Sequence, residues 1–246
     1  MSSPPWYRIS EITHADFVEC IHPLYYVLEG KHESKTVADP FARTVLMNFE
    51  GLTEDDWTNM DRRRLYMKSV EDKLGNMHEE LMGKFPGYVC MRVGDKTGCD
   101  VRNTDGSMVM EVKNRHNTMN SSSAKSVVEK LSKLADKGVN AILVQVNCPN
   151  EQVTRFGAPA NIQVWTGKQA YAFLSGRESF FDDVLATLDY VTKNYKTIDA
   201  LAAALGVEKP AEKPVAARKR APPKCGNCRE PGHTKPKCPK LTQETP

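Results

Sequence analysis

Residues 99 to 113, Cys-Asp-Val-Arg-Asn-Thr-Asp-Gly-Ser-Met-Val-Met-Glu-Val-Lys, carry the tightest local instruction in this 246-residue chain. Asp105-Gly106 tolerates positive φ, so Asn103-Thr104-Asp105-Gly106 is predicted as the turn of a β-hairpin. In the second strand the period of two sends Met108, Met110 and Val112 to one face and Val109, Glu111 and Lys113 to the other. A two-residue loop sets Asp100 directly across from Glu111. A four-residue loop sets it opposite Val109, still on that face, and only an odd-length loop breaks the arrangement. Cross-strand Cβ atoms lie roughly 5 Å apart, so two carboxylates placed this way can share one cation.

Magnesium takes oxygen ligands, keeps several waters and is commonly held by one or two carboxylates plus a substrate phosphate. Asp100 and Glu111 supply that pair for Mg2+, and Lys113 beside them suits a role in orienting water or neutralising a phosphorane-like transition state. The chemistry implied is phosphodiester hydrolysis. A lone Glu-x-Lys on a strand is ordinarily a solvated edge. Three features oppose that here: the in-register aspartate, the apolar opposite face, and the polar run Asn114-Arg115-His116-Asn117-Thr118-Met119-Asn120-Ser121-Ser122-Ser123, which reads as the rim of a site.

With 40% apolar and 26% charged residues the chain has material for one sizeable core and a small appendage. Its formal charge of +3 conceals an asymmetry, because residues 206 to 246 hold ten Lys/Arg against four Asp/Glu. No apolar run is long enough to span a membrane. The N-terminal Met-Ser-Ser-Pro-Pro lacks a signal-peptide pattern, so an intracellular protein is expected, cytoplasmic or, in a eukaryotic host, nuclear. Of seven cysteines, Cys225, Cys228 and Cys238 cluster in the tail. Cys20, Cys90, Cys99 and Cys148 are scattered among apolar neighbours, as reduced core thiols are.

Helices are predicted over Glu11 to Leu28, Pro40 to Phe49 and residues 61 to 83. The last carries Val70, Leu74, Met77 and Leu81 on one stripe, with Glu71, Gly75 and His78 on a second. His14, His22 and His32 have no ligand-like spacing. A strand over Tyr88 to Val93 precedes the hairpin. A helix over Ala124 to Lys137 points Val127, Val128, Leu131 and Leu134 inward and Lys125, Lys130, Lys133 and Lys137 outward, as a solvated face in preference to one that faces phosphates. Strands over Asn140 to Val146 and Ile162 to Thr166 follow, then helices over Gly167 to Leu174, Phe180 to Tyr195 and Asp199 to Leu205. The order helix, three strands, helix, strand is that of an α/β fold with a mixed sheet. Arg155, in the loop Asn147 to Asn161, is a candidate for reading base edges, since an Arg fork suits guanine.

Residues 1 to 205 form the catalytic domain in this reading. Residues 206 to 224, rich in Pro, Ala and Lys, form a basic linker. Then come Cys225, Cys228, His233 and Cys238, spaced as a zinc knuckle over 225 to 238: three thiolates and an imidazole close a tetrahedral Zn2+ site that so short a segment needs in order to fold. Gly226 and Arg229 stand where a retroviral-type knuckle has an aromatic and a glycine. Contacts through Arg229, Lys235 and Lys237, or with a protein partner, therefore replace base stacking as its expected mode.

Asp100, Glu111 and Lys113 resemble the catalytic triplet of the PD-(D/E)XK nuclease superfamily, with Cys99 where that motif has proline. Glu-Val-Lys-Asn-Arg-His-Asn-Thr-Met-Asn-Ser-Ser at 111 to 122, Leu-Gly-Asn-Met-His-Glu at 74 to 79 and Pro-Phe at 40 to 41 resemble, more closely, a family of type II restriction endonucleases that cut GGNCC-type sites. The likeness spans roughly residues 38 to 192 and leaves out the zinc tail. It implies that His78 sits near the metal, and that Asn114, His116 and Asn117 line the DNA, with Ser121 of the same run a further contact. The expectation is a Mg2+-dependent, sequence-specific endonuclease of double-stranded DNA, a homodimer because a palindromic site calls for two-fold symmetry, with a DNA methyltransferase as cognate partner. The alternative is a non-catalytic nucleic-acid-binding protein with a relic nuclease core and a working knuckle. A nuclease of RNA or damaged DNA is a third reading.

Overall fold

The computed structural model describes residues 3–31, 38–91, 97–116 and 119–210. His32, Asn117 and the knuckle residues Cys225, Cys228, His233 and Cys238 lie outside them. The chain divides into two compact units, Met1–Lys209 and Pro210–Pro246.

Three helices come first: α1 (His14–Leu28), α2 (Pro40–Glu50) and α3 (Glu54–Met82). Phe17, Val18, Ile21, Leu24 and Tyr25 give α1 a wide apolar stripe, which is fully buried even though Pro23 lies inside the helix. By contrast α2 buries none of its residues. Helix α3 starts well before the expected residue 61. Thr53 and Asp56 form a capping box, and Glu54, Asp55 and Asp56 place negative charge at the positive end of the helix dipole. Its first half buries only Trp57, so no apolar stripe announces it. At the other end, a Cβ on Gly83 would lie 2.2 Å from the Cys90 nitrogen. Only hydrogen fits there, and this close approach sets how α3 hands over to the sheet.

The sheet has five strands in the order β1 (Tyr88–Cys90), β2 (Val101–Asn103), β3 (Met108–Arg115), β4 (Asn140–Asn147) and β5 (Ile162–Thr166). The first two pairings are antiparallel and the last two parallel, which makes it mixed, as expected. Helix α4 (Ser121–Ala135), capped by Asn120, links β3 to β4 and starts earlier than the expected Ala124. Helices α5 (Gly167–Ser175), α6 (Phe180–Asn194) and α7 (Ile198–Leu205) follow β5.

The two sheet faces are covered unequally. Met110, Val112, Ile142 and Val144 join a large core with α1, the C-terminal half of α3, and α5, α6 and α7. Val109, Ala141, Leu143 and Ile162, on the other face, share a smaller cluster with Leu131 of α4 and Cys99, ringed, among the described residues, by nine half-buried ones of which Val127, Val128, Leu134 and Ala135 are also on α4. The hairpin has the register of a two-residue loop, Val101 opposite Met110, although the paired strands stop at Asn103 and Met108.

Candidate active site

Glu111 lies on β3, the central strand, and is only 5% exposed. It is therefore not on a solvated edge. The ladder's regular pairing stops at Val101. One residue earlier the Asp100 N–H donates to the Met110 carbonyl at 3.0 Å, and the Asp100 carboxylate Oδ2 accepts from the Val112 N–H at 2.7 Å. A side chain here takes the place of a backbone acceptor, holding the aspartate beside β3.

Lys113 brings the two acids to one point. Its ammonium is 2.7 Å from Glu111 Oε1 and 3.7 Å from Asp100 Oδ2. The side chains of Asp100 and Lys113 keep 23% and 24% exposure, so the cluster is open on one side while Glu111 closes its floor. Burial and the Glu111 charge hold the Asp100 carboxyl above the usual carboxylate range, against the pull of Lys113 and the Val112 N–H. Burial works to lower the Lys113 pKa, but the Glu111 and Asp100 carboxylates outweigh it and the net shift is upward. Glu79 of α3 adds to that field. Two carboxylates converging on one cation fit a hard divalent ion with oxygen ligands and retained waters. Among the described residues no third His, Cys, Asp or Glu joins them as a ligand group.

A fourth charged group enters from α4. Lys130, expected to face outward, turns its ammonium onto Glu111 Oε2 and onto the Gly98 carbonyl at 2.6 Å. Lys125, Lys133 and Lys137 are exposed as expected. Helical periodicity assigns Lys130 to the polar side of α4, but its long stem reaches back over the thinly covered face.

Other expected site residues are placed differently. His78 is buried, with Nδ1 2.9 Å from the Tyr171 hydroxyl of α5, and burial pushes its imidazole down to about 4. It packs into the large core. Asn114 shares the face of Met110 and Val112. Its amide donates to the Glu71 carbonyl at 3.2 Å and accepts from Asn147 Nδ2 at 3.0 Å, tying α3, β3 and β4 together. Gly75 packs beside it, and a Cβ there would lie 3.6 Å from Asn114 Cβ, an ordinary contact, so Asn114 does not require a glycine at that position. Arg155, expected at base edges, donates to the carbonyls of Pro159 and Ile162 at 3.2 and 3.1 Å and braces its own loop. Gln145, fully buried beside Lys113 in the ladder, anchors the same loop through both backbone groups of Thr154. Ser121 is exposed in the first turn of α4.

His116 lines a cleft of about 450 Å³ with Arg115, Asn147, Cys148 and Lys168, at the ends of β3 and β4 and the start of α5. Its charged lining consists of Arg115, paired with Glu71, and Lys168, paired with Glu151 of the same lining.

A family model described as Eco47II restriction endonuclease matches residues 9–196. The chain is 29% identical over 199 residues to the type II restriction enzyme Sau96I of Staphylococcus aureus, covering 70% of this chain and 75% of that protein. It is 22% identical over 177 residues to the type II restriction enzyme Eco47II of Escherichia coli, covering 64% of this chain and 72% of that one.

Proposed function

The chain belongs to the Eco47II restriction endonuclease family and is a type II restriction enzyme, and from that premise we propose that it hydrolyses double-stranded DNA at GGNCC-type sites using Mg2+ held by Asp100 and Glu111. The reading rests above all on two carboxylates from neighbouring strands converging on the Lys113 ammonium, with Glu111 on the central strand. When bound, Mg2+ supplies Lewis-acid stabilisation of charge on the scissile phosphate and lowers the pKa of a ligated water.

The chain's own residues do the positioning. Asp100 presents the oxygen not engaged by Val112, and Glu111 faces it from across the strand pair. Lys113 is kept charged by both acids, and it orients the attacking water and offsets the negative charge that grows on phosphorus. Arg115 and Lys168, each also engaged in an ion pair, and His116 line a cleft along which DNA phosphates run. Two copies act together on a palindromic site, inside the cell, alongside a methyltransferase that protects the host's own sites. The catalytic domain covers residues 1–205, and the linker 206–224 tethers a Zn2+ knuckle at Cys225, Cys228, His233 and Cys238 as an auxiliary contact.

Digestion of a sequenced plasmid tests this. Discrete fragments ending at GGNCC sites, formed only with added Mg2+, are expected. Glu111→Ala and Lys113→Ala are expected to slow cutting by at least about a thousandfold while binding of a site-bearing duplex without divalent ion persists. Full cutting by both variants refutes the assignment.

A further inference from the structure

Glu111 is bracketed by two ammonium groups, Lys113 on Oε1 and Lys130 on Oε2, while the second bond of Lys130, to the Gly98 carbonyl, fixes it beside the approach to Asp100. Asp100, Glu111, Lys113 and Lys130, linked by ion pairs from Lys113 to both acids and from Lys130 to Glu111, sum to zero charge, while Glu79 of α3 adds to the field at Lys113. A divalent ion entering between Asp100 and Glu111 finds both carboxylate charges offset by ammonium groups and must displace Lys130 from a carboxylate oxygen. Its binding becomes favourable when a phosphate arrives with compensating charge, both for the ion and for the displaced ammonium.

We propose that Lys130 is a positioning residue that acts as the built-in counter-ion of the metal site, offsetting Glu111 without DNA so that the divalent ion and the phosphodiester bind interdependently. The inference rests on reading Asp100 and Glu111 as the metal pair. It concerns affinity and coupling, which are reciprocal between ion and DNA.

The probe is Ca2+, titrated calorimetrically into the full chain with and without a duplex bearing a GGNCC site. For the unaltered protein, Ca2+ affinity rises strongly when the duplex is present. Lys130→Met removes the charge at nearly constant length and is expected to tighten Ca2+ binding without DNA by at least about tenfold and to shrink the gain from the duplex correspondingly. Lys130→Arg keeps the unaltered behaviour. Lys130→Gln retains hydrogen bonding without charge and follows Lys130→Met if charge is the cause; if it follows the unaltered protein, the role is structural and the proposal fails. Lys130→Met binding Ca2+ no more tightly than the unaltered chain also overturns it. Asp100→Asn separates the two readings. Loss of Ca2+ binding in that variant, with no change on Lys130→Met, leaves the metal pair standing and sinks Lys130 alone, whereas Ca2+ binding indifferent to Asp100→Asn sinks both.

Discussion

The two faces of the sheet divide the labour of the molecule. Under Met110, Val112, Ile142 and Val144 lies nearly all the large apolar burial, contributed by five helices. Under Val109, Leu143 and Ile162 there is one helix, and at its margin Asp100 and Lys130 join Glu111 and Lys113 of β3. A site needs an approach for its substrate and a floor that does not move, and a sheet covered deeply on one side and thinly on the other offers both. Stability and chemistry should therefore respond to mutation on opposite faces of the same strand.

The strongest challenge to that division is Leu81→Ala, which empties a fully buried position on the thick side. It is expected to cost about 3 to 4 kcal/mol in urea unfolding while leaving the cleavage rate per folded molecule within about twofold. A larger loss of rate than of stability would show the faces to be coupled. The next effect comes from His78. Its folded pKa of about 4 lies below the ordinary value of 6.5, so at falling pH the unfolded chain takes up a proton that the folded one refuses. Stability should be flat above pH 6.5 and decline from there to about pH 4, by about 3 kcal/mol in all. His78→Asn should remove that slope, as urea midpoints across the pH range would show. The smallest effect is expected on the thin side: Val127→Ala, at a half-buried position of α4, should cost about 1 kcal/mol. A cost equal to that of Leu81→Ala would erase the contrast.

Much of this arrangement was legible in the residues. Alternation along Met108 to Lys113 fixed which side chains share a face, and Asp105-Gly106 marked the turn but left two registers open, of which the structure has the one that sets Asp100 across from Glu111. The same alternation, carried one residue further, assigns Asn114 to the core side, where it binds Glu71; family likeness pointed it at DNA instead. Two features were not legible. The first half of α3 is held by a cap and charges with almost nothing to bury, so no periodic signal exists. Lys130 sits at a polar helical position, and periodicity reports where a Cβ points, not how far a flexible stem bends back to a buried acid.

Asp100 is stitched into β3 through Val112 while it faces Lys113. One residue is thus both thread and blade, and replacements there do not mean the same thing. Alanine unpicks the seam along with the charge. Asparagine, keeping an oxygen for the Val112 amide, dulls the edge and leaves the cloth whole.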